Sequence, residues 1–279
     1  MIHNINRRKF IELFGCGCCG LILPSCSTVP ITERKQLSII PEATINRQSS
    51  KAYESFRTKT KLVKSGKDLD KIIEIGKRIE FSVSKFFINK KGDDPTNNFQ
   101  WDYILVENDK IVNAWCMPGG KIAVYTGLLK ITKNDNALAV VMGHEIAHAV
   151  AKHSIERASQ ALTVNIGTQV ADIFLGGAIS RTRNTIGQSS GMDIFQLGIF
   201  NPFGRKQETE ADYLGLIFSS LAGYDIRESV KLWERMAEKN KGKEPPQFLS
   251  THPSSKNRIV NLKKWITEVI VKYPPIKRT

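Results

Sequence analysis

No stretch of this chain is long and apolar enough to span a bilayer, which takes about 20 apolar residues in a row. The run from Phe10 to Leu23 is short and broken by Glu12. The Gly-interrupted run from Ala161 to Phe200 carries Asn165, Gln169 and Asp172 in its most apolar part. Cysteine is scarce beyond the N-terminus. Of five cysteines, Cys16, Cys18, Cys19 and Cys26 lie in the first 26 positions and only Cys116 lies beyond. Once the leading segment is removed, no internal disulfide is expected. No internal repeat recurs, so a solenoid is excluded. Long blocks of like charge are missing too. The formal net charge is +14, yet the longest pure basic cluster is Arg7-Arg8-Lys9. Basic residues spread in this way make a solvated exterior, and no nucleic-acid partner is expected.

What is present is an ordinary globular composition, 41% hydrophobic and 24% charged over 279 residues. It excludes a chain disordered throughout and a collagen-like one, and it suffices for one large domain or two small ones. The first 25 residues read as an export signal: a basic start, a short apolar run, then small residues. Leu23-Pro24-Ser25-Cys26 has the form of a bacterial lipobox, which would make Cys26 the lipidated first residue of the mature chain. A plain cleaved signal is the alternative, and Arg7-Arg8 leaves a twin-arginine export route open. The expected organisation is a signal over 1–25, a tether with first contacts over 26–48, and one domain over 49–279.

Apolar spacing predicts a core helix from about Asp68 to Asn89. Three short strands follow at Trp101 to Val106, Ile111 to Cys116 and Lys121 to Tyr125. Asn108-Asp109 suits a hairpin between the first two, and Pro118-Gly119-Gly120 suits one between the second two. Helices are expected at about 134–153, 205–222, 226–238 and 254–271, the second ending at Gly223. Arg181 to Gly191 reads as a loop. The class is α+β with a helical majority and a small, mostly antiparallel sheet.

The chemistry concentrates in His144-Glu145-Ile146-Ala147-His148. On a helix His144 and His148 stand one turn and about 40° apart, so both rings face one point. Two neutral imidazoles at that spacing suit Zn²⁺. Glu145, about 100° round, stands beside a metal rather than on it and can take a proton from an attacking water. His153 lies about 180° from His144 on the same helix and reads as a surface or capping residue. A third ligand is expected from Glu208-Thr209-Glu210-Ala211-Asp212. Glu208 and Asp212 share a helix face while Glu210 points nearly opposite. Glu208 would ligate, and Asp212 would hold the outer nitrogen of a ligand histidine; an acidic helix start without a ligand is the competing reading. His252, kept extended by Pro253, has three readings: an oxyanion donor, an occupant of the fourth zinc position, or a helix cap. The strand Lys121, Ile122, Ala123 and Val124 is either an edge that binds peptide by β-augmentation or a plain core strand.

The ordered set of motifs resembles the HtpX and CAAX prenyl endopeptidase family of zinc metallopeptidases. It is most similar to the soluble periplasmic lipoprotein branch that includes the BepA and LoiP peptidases, and to mitochondrial Oma-type enzymes. The residues are Thr32 to Leu37, Asn113-Ala114, Pro118-Gly119-Gly120, Thr126-Gly127-Leu128, the His144–His148 pair with Glu145, Glu208 with Ala211-Asp212, Gly223-Tyr224-Asp225 and Thr251-His252-Pro253. The resemblance implies a zincin-like fold, one zinc per chain held by His144, His148 and Glu208, and Glu145 as general base. It implies a switching or transition-state role for His252 and a supporting place beside the site for Arg258. It also implies envelope protein quality control: a periplasmic enzyme lipid-anchored to the outer membrane, with misfolded or misassembled envelope proteins as substrates. The alternative is a non-enzymatic periplasmic chaperone or assembly factor that retains a structural zinc. The membrane helices of the CAAX and HtpX branches are missing, so prenylated substrates are not expected.

Overall fold

Asn134 begins the central helix. Its side chain accepts from the Ala137 N–H at 2.9 Å, satisfying one of the free amides of the first turn. The helix it starts is apolar on every side and is buried from Ala137 to Val150, as an all-round apolar helix must be. The computed structural model describes residues 26–174, 202–239, 247–253 and 257–277, without the side chains of 165–174. The expected signal over 1–25 and the expected loop at 181–191 lie outside the described residues.

In chain order the elements are β1 (Cys26–Thr28), β2 (Lys35–Leu37), α1 (Glu42–Lys59), α2 (Lys67–Asn89), β3 (Asp102–Val106), β4 (Ala114–Met117), β5 (Lys121–Tyr125), α3 (Thr126–Thr132), α4 (Asp135–Val150), α5 (His153–Phe174), α6 (Arg205–Leu221), α7 (Glu228–Lys239), α8 (Gln247–Thr251) and α9 (Arg258–Lys272). The fold is helix-rich with small sheets, the α+β class expected. Among the described residues no helix is long and apolar enough to cross a membrane. Helix α4 packs most extensively on α6, and its other neighbours include β4 and α2. These elements share one core, which includes Ile79, Val83, Leu105, Val124, Leu138, Ile146, Leu214 and Phe218.

The three-stranded sheet combines one parallel and one antiparallel pairing. Its order is β3-β5-β4. β3 pairs parallel with β5, and β4 pairs antiparallel with it. The β4–β5 hairpin at Gly119-Gly120 forms as expected, whereas Asn108-Asp109 makes no hairpin. The loop after β3 instead crosses the start of α3, where a Cβ on Gly127 would sit 2.3 Å from the Ile111 oxygen and 2.7 Å from the Asp109 oxygen. That passage carries the chain to the far side, and β5 inserts between its predecessors.

Two further differences matter at the site. The expected tether is folded: β1 and β2 pair antiparallel, Val29 and Gln36 are buried, and α1 begins at Glu42. The metal helix also ends sooner than expected. Lys152 takes a left-handed φ of 56°, and the chain turns there into α5.

Helices α4 and α6 meet at two glycines. A Cβ on Gly215 would lie 2.8 Å from the His144 nitrogen and 2.9 Å from its Cα. One on Gly143 would lie 2.5 Å from Ser219 Oγ and 2.8 Å from the Gly215 oxygen. This approach is what lets carboxylates on α6 reach α4. Gly→Ala in an exposed helix stabilises by about 0.5–1 kcal/mol. Gly215→Ala is expected to have the opposite sign, costing about 1–3 kcal/mol through overpacking against backbone. The measurement is a melting curve of the purified variant; an equal or higher melting temperature would contradict this close packing.

Candidate metal centre

His144 and His148 lie one turn apart on α4, their rings 4.7 Å apart and 76° to one another. Their Nε2 atoms face each other at 3.1 Å. Glu208, in the first turn of α6, brings Oε2 to 3.5 Å from His144 Nε2 and Oε1 to 3.3 Å from His148 Nε2. His252 follows α8 directly. Its N–H donates to the Phe248 oxygen at 2.8 Å, and its ring stacks on Phe248 at 4.6 Å and on Phe203 at 5.3 Å. Its Nδ1 lies 3.3 Å from His144 Nε2 and 3.0 Å from Glu208 Oε1. The four donor atoms lie within 4.8 Å of one another, and all four residues are buried. His252 is therefore a packed member of the cluster rather than a histidine free at a helix mouth.

These separations suit a tetrahedral zinc. Donors 2.0–2.1 Å from such an ion stand about 3.3 Å apart, and the His144–His148, His144–His252, His148–Glu208 and His252–Glu208 donor pairs are 3.0 to 3.3 Å apart. Three nitrogens and a carboxylate match its donor preference. Charge fits at Glu208 and His148. Burial opposes ionisation of Glu208, yet His252, His144 and His148 hold its carboxyl well below the ordinary range. Burial drives His148 well below the usual imidazole value, leaving it neutral. Burial also lowers His144, but the Asp212 and Glu208 carboxylates outweigh it and raise that imidazole to about 9.

Asp212 Oδ1 lies 3.0 Å from His144 Nδ1. Arg258 donates to Asp212 at 2.6 Å and to Glu208 at 3.3 Å, and its guanidinium lies 3.4 Å from the Trp233 ring centre. Glu145 stands beside the donors. Its Oε1 is 3.4 Å from His252 Nε2. Burial pushes this carboxyl above its ordinary value, against the pull of His252 and His144. It opens onto a cleft of about 370 Å³ lined by Phe56, Trp115, Phe203, Thr251 and His252 among others.

The expected peptide edge is corrected. Lys121 to Val124 form the middle strand, paired on both sides, so their backbone cannot accept a peptide. The outer strands are β3 and β4, and Ala114–Met117 of β4 line the cleft beside Glu145. Cys26 is an exposed free thiol at the start of β1.

His153 is a second correction. It is fully buried, because the left-handed turn at Lys152 ends α4 and swings His153 under His148. Their Nδ1 atoms are 2.8 Å apart, and His153 Nε2 lies 2.9 Å from Glu210 Oε2. Glu210 points away from the donors, as expected, and lands on this histidine. Burial opposes ionisation of Glu210, but bonds from His153, Thr32 and Arg34 pull its carboxyl from an ordinary 4.5 down to about 2. A depressed carboxyl contributes stability that is complete above 4.5 and is lost as pH falls through 2. The zinc-free protein is thus expected to lose up to about 3 kcal/mol across that window through Glu210. Glu210→Gln should flatten that part of the acid limb in chemical unfolding; an unchanged limb would remove the assignment.

Comparison with known proteins agrees with this geometry. Residues 79–266, from within α2 into α9, match peptidase family M48. The chain is 38% identical to the mitochondrial metalloendopeptidase OMA1 of Schizosaccharomyces pombe over 180 residues, 63% of this chain and 50% of that protein. It is 28% identical to the human mitochondrial metalloendopeptidase OMA1 over 280 residues, 96% of this chain and 52% of that protein. It is 29% identical to a putative beta-barrel assembly-enhancing protease of Vibrio cholerae over 173 residues, 61% of this chain and 34% of that protein. The chain spans about half or less of the length of these curated relatives.

Proposed function

Since the chain belongs to peptidase family M48, we propose that it is a zinc-dependent metalloendopeptidase of the bacterial cell envelope that hydrolyses misfolded or misassembled envelope proteins. The observation that carries the reading is Glu145: a buried carboxylate beside the four donors, facing a cleft whose wall is a sheet edge. His144, His148 and Glu208 would hold the ion. When bound, zinc supplies Lewis-acid polarisation of a carbonyl and lowers the pKa of water to about 7. Glu145 takes the proton of the attacking water and passes it to the leaving amine. Burial raises the pKa of this carboxyl above its ordinary value, which makes it a stronger proton acceptor. The β4 edge takes an extended segment through its backbone groups, which favours unfolded chain over any one sequence. The envelope assignment draws support from the N-terminal signal pattern, from Cys26 at the start of β1, and from the Vibrio cholerae and Yersinia pestis relatives named as beta-barrel assembly-enhancing proteases. A lipid anchor on Cys26 and outer-membrane attachment belong to the same proposal.

One observation favours a second reading. His252 completes a four-donor set, and closed sets are the mark of structural zinc, whereas catalytic zinc keeps one position for water. For a peptidase the His252 ring has to give way during turnover; for a chaperone with a structural zinc it stays. The test is digestion of casein by the zinc-loaded chain beside Glu145→Gln. Digestion by the wild type alone supports the peptidase. Digestion by neither, with His252→Ala also inert, favours the structural site.

A further inference from the structure

The two ligand histidines are supported differently. The outer nitrogen of His144 faces a carboxylate, Asp212. The outer nitrogen of His148 faces another imidazole, with 2.8 Å between the two Nδ1 atoms. We propose that His153, Glu210 and Arg34 form a positioning relay that fixes the tautomer of His148, so that the β1–β2 hairpin helps to set the affinity of the centre for zinc. The inference rests on the metallopeptidase reading.

The proton positions follow from the donors. A carboxylate only accepts, so Glu210 Oε2, 2.9 Å from His153 Nε2, requires a proton on that nitrogen. A neutral His153 then presents a lone pair at Nδ1. Two imidazole nitrogens 2.8 Å apart share one proton, so His148 donates its Nδ1–H. Its Nε2 is left with a lone pair facing His144 Nε2 and Glu208, the orientation that a metal needs. Without the carboxylate, His153 takes either tautomer, and His148 loses the bond that keeps its own proton at the back.

The hairpin holds the far end of the relay. Thr32 Oγ1 donates to Glu210 Oε1. Arg34 Nε donates to Glu210 Oε2 at 2.8 Å. The other two Arg34 nitrogens reach both oxygens of Glu156 at 2.8 and 2.9 Å, and Glu156 lies one turn along α5 from His153. Gln207 Nε2 donates to Glu156 at 2.7 Å. Arg34 therefore ties α5 and α6 together behind His148. Partners of this kind are worth about 10–100-fold in metal affinity.

The experiment measures zinc affinity of the full chain by competition with a chromophoric chelator, beside the melting temperature of each zinc-free protein. His153→Leu is expected to bind zinc about 10–100-fold more weakly. His153→Gln can accept from His148 and donate to Glu210, and it is expected to stay within a few-fold of the wild type. Arg34→Met is expected to weaken binding by about tenfold. If His153→Leu does not fold, the Gln and Met variants decide. Wild-type affinity in every folded variant overturns the relay. So does a His153→Gln protein as weak as the weakest variant, because packing alone would then account for the loss. A wild-type chain that binds no zinc overturns the metallopeptidase reading together with the relay.

Discussion

Glu145→Gln is expected to lower casein cleavage by about 10²–10⁴-fold, the range that a positioned proton-transfer group supplies, while zinc stays at one per chain. The amide keeps the shape of the carboxylate. It cannot take a proton from water or return one to an amine. Glu145 is outside the set of four donors, which is His144, His148, Glu208 and His252, so metal content should not move. Metal analysis and initial rates on the same preparation provide the check. A variant that cleaves within tenfold of the wild type would end the general-base assignment. A variant that has lost its zinc would show that Glu145 belongs to the donor set after all.

Removal of the metal is expected to abolish cleavage and to lower stability together. Zinc bound to the folded chain and not to the unfolded one stabilises by about 4 kcal/mol when free zinc is 1,000 times its dissociation constant. At this chain length that is a fall of roughly 10 °C in melting temperature on chelation. The zinc-free cluster also takes up a proton, because Asp212 and Glu208, outweighing burial, raise His144 to about 9. Zinc has to displace that proton, so affinity should fall as pH is lowered below 9. Melting with and without chelator, and chelator competition across pH, read both effects. Cleavage that survives full depletion, or that returned zinc does not restore, would sink the mechanism.

Much of this centre was legible before folding. Two histidines four apart on an apolar helix converge by helix geometry alone, and Glu208 with Asp212 shares a face by the same rule. Helices α2 and α6 follow their predicted spans closely, because apolar spacing and the Gly223 stop are local signals. Helical geometry carried past Val150 misplaces His153, because the helix ends there and Lys152 turns left-handed. No residue type announces that Lys152 turns left-handed, and only the packing of α5 under α4 makes it do so. Arg34 lies within a motif that carried the family resemblance, which was the one signal available for it; its partner Glu210 gave none.

The amino-acid sequence by itself determined which side chains can bind a metal and which can move a proton, since those properties belong to residue types at helical spacing. The tertiary structure decided how they are served. It placed β4 rather than β5 at the open edge, because the loop after β3 crosses Gly127. It drew α4 and α6 into contact through Gly143 and Gly215. It brought an N-terminal hairpin to the back of His148. The first two depend on backbone meeting backbone at glycines and the third on side-chain bonds from Thr32 and Arg34 to Glu210, and a local pattern of residues holds no record of such distant contacts.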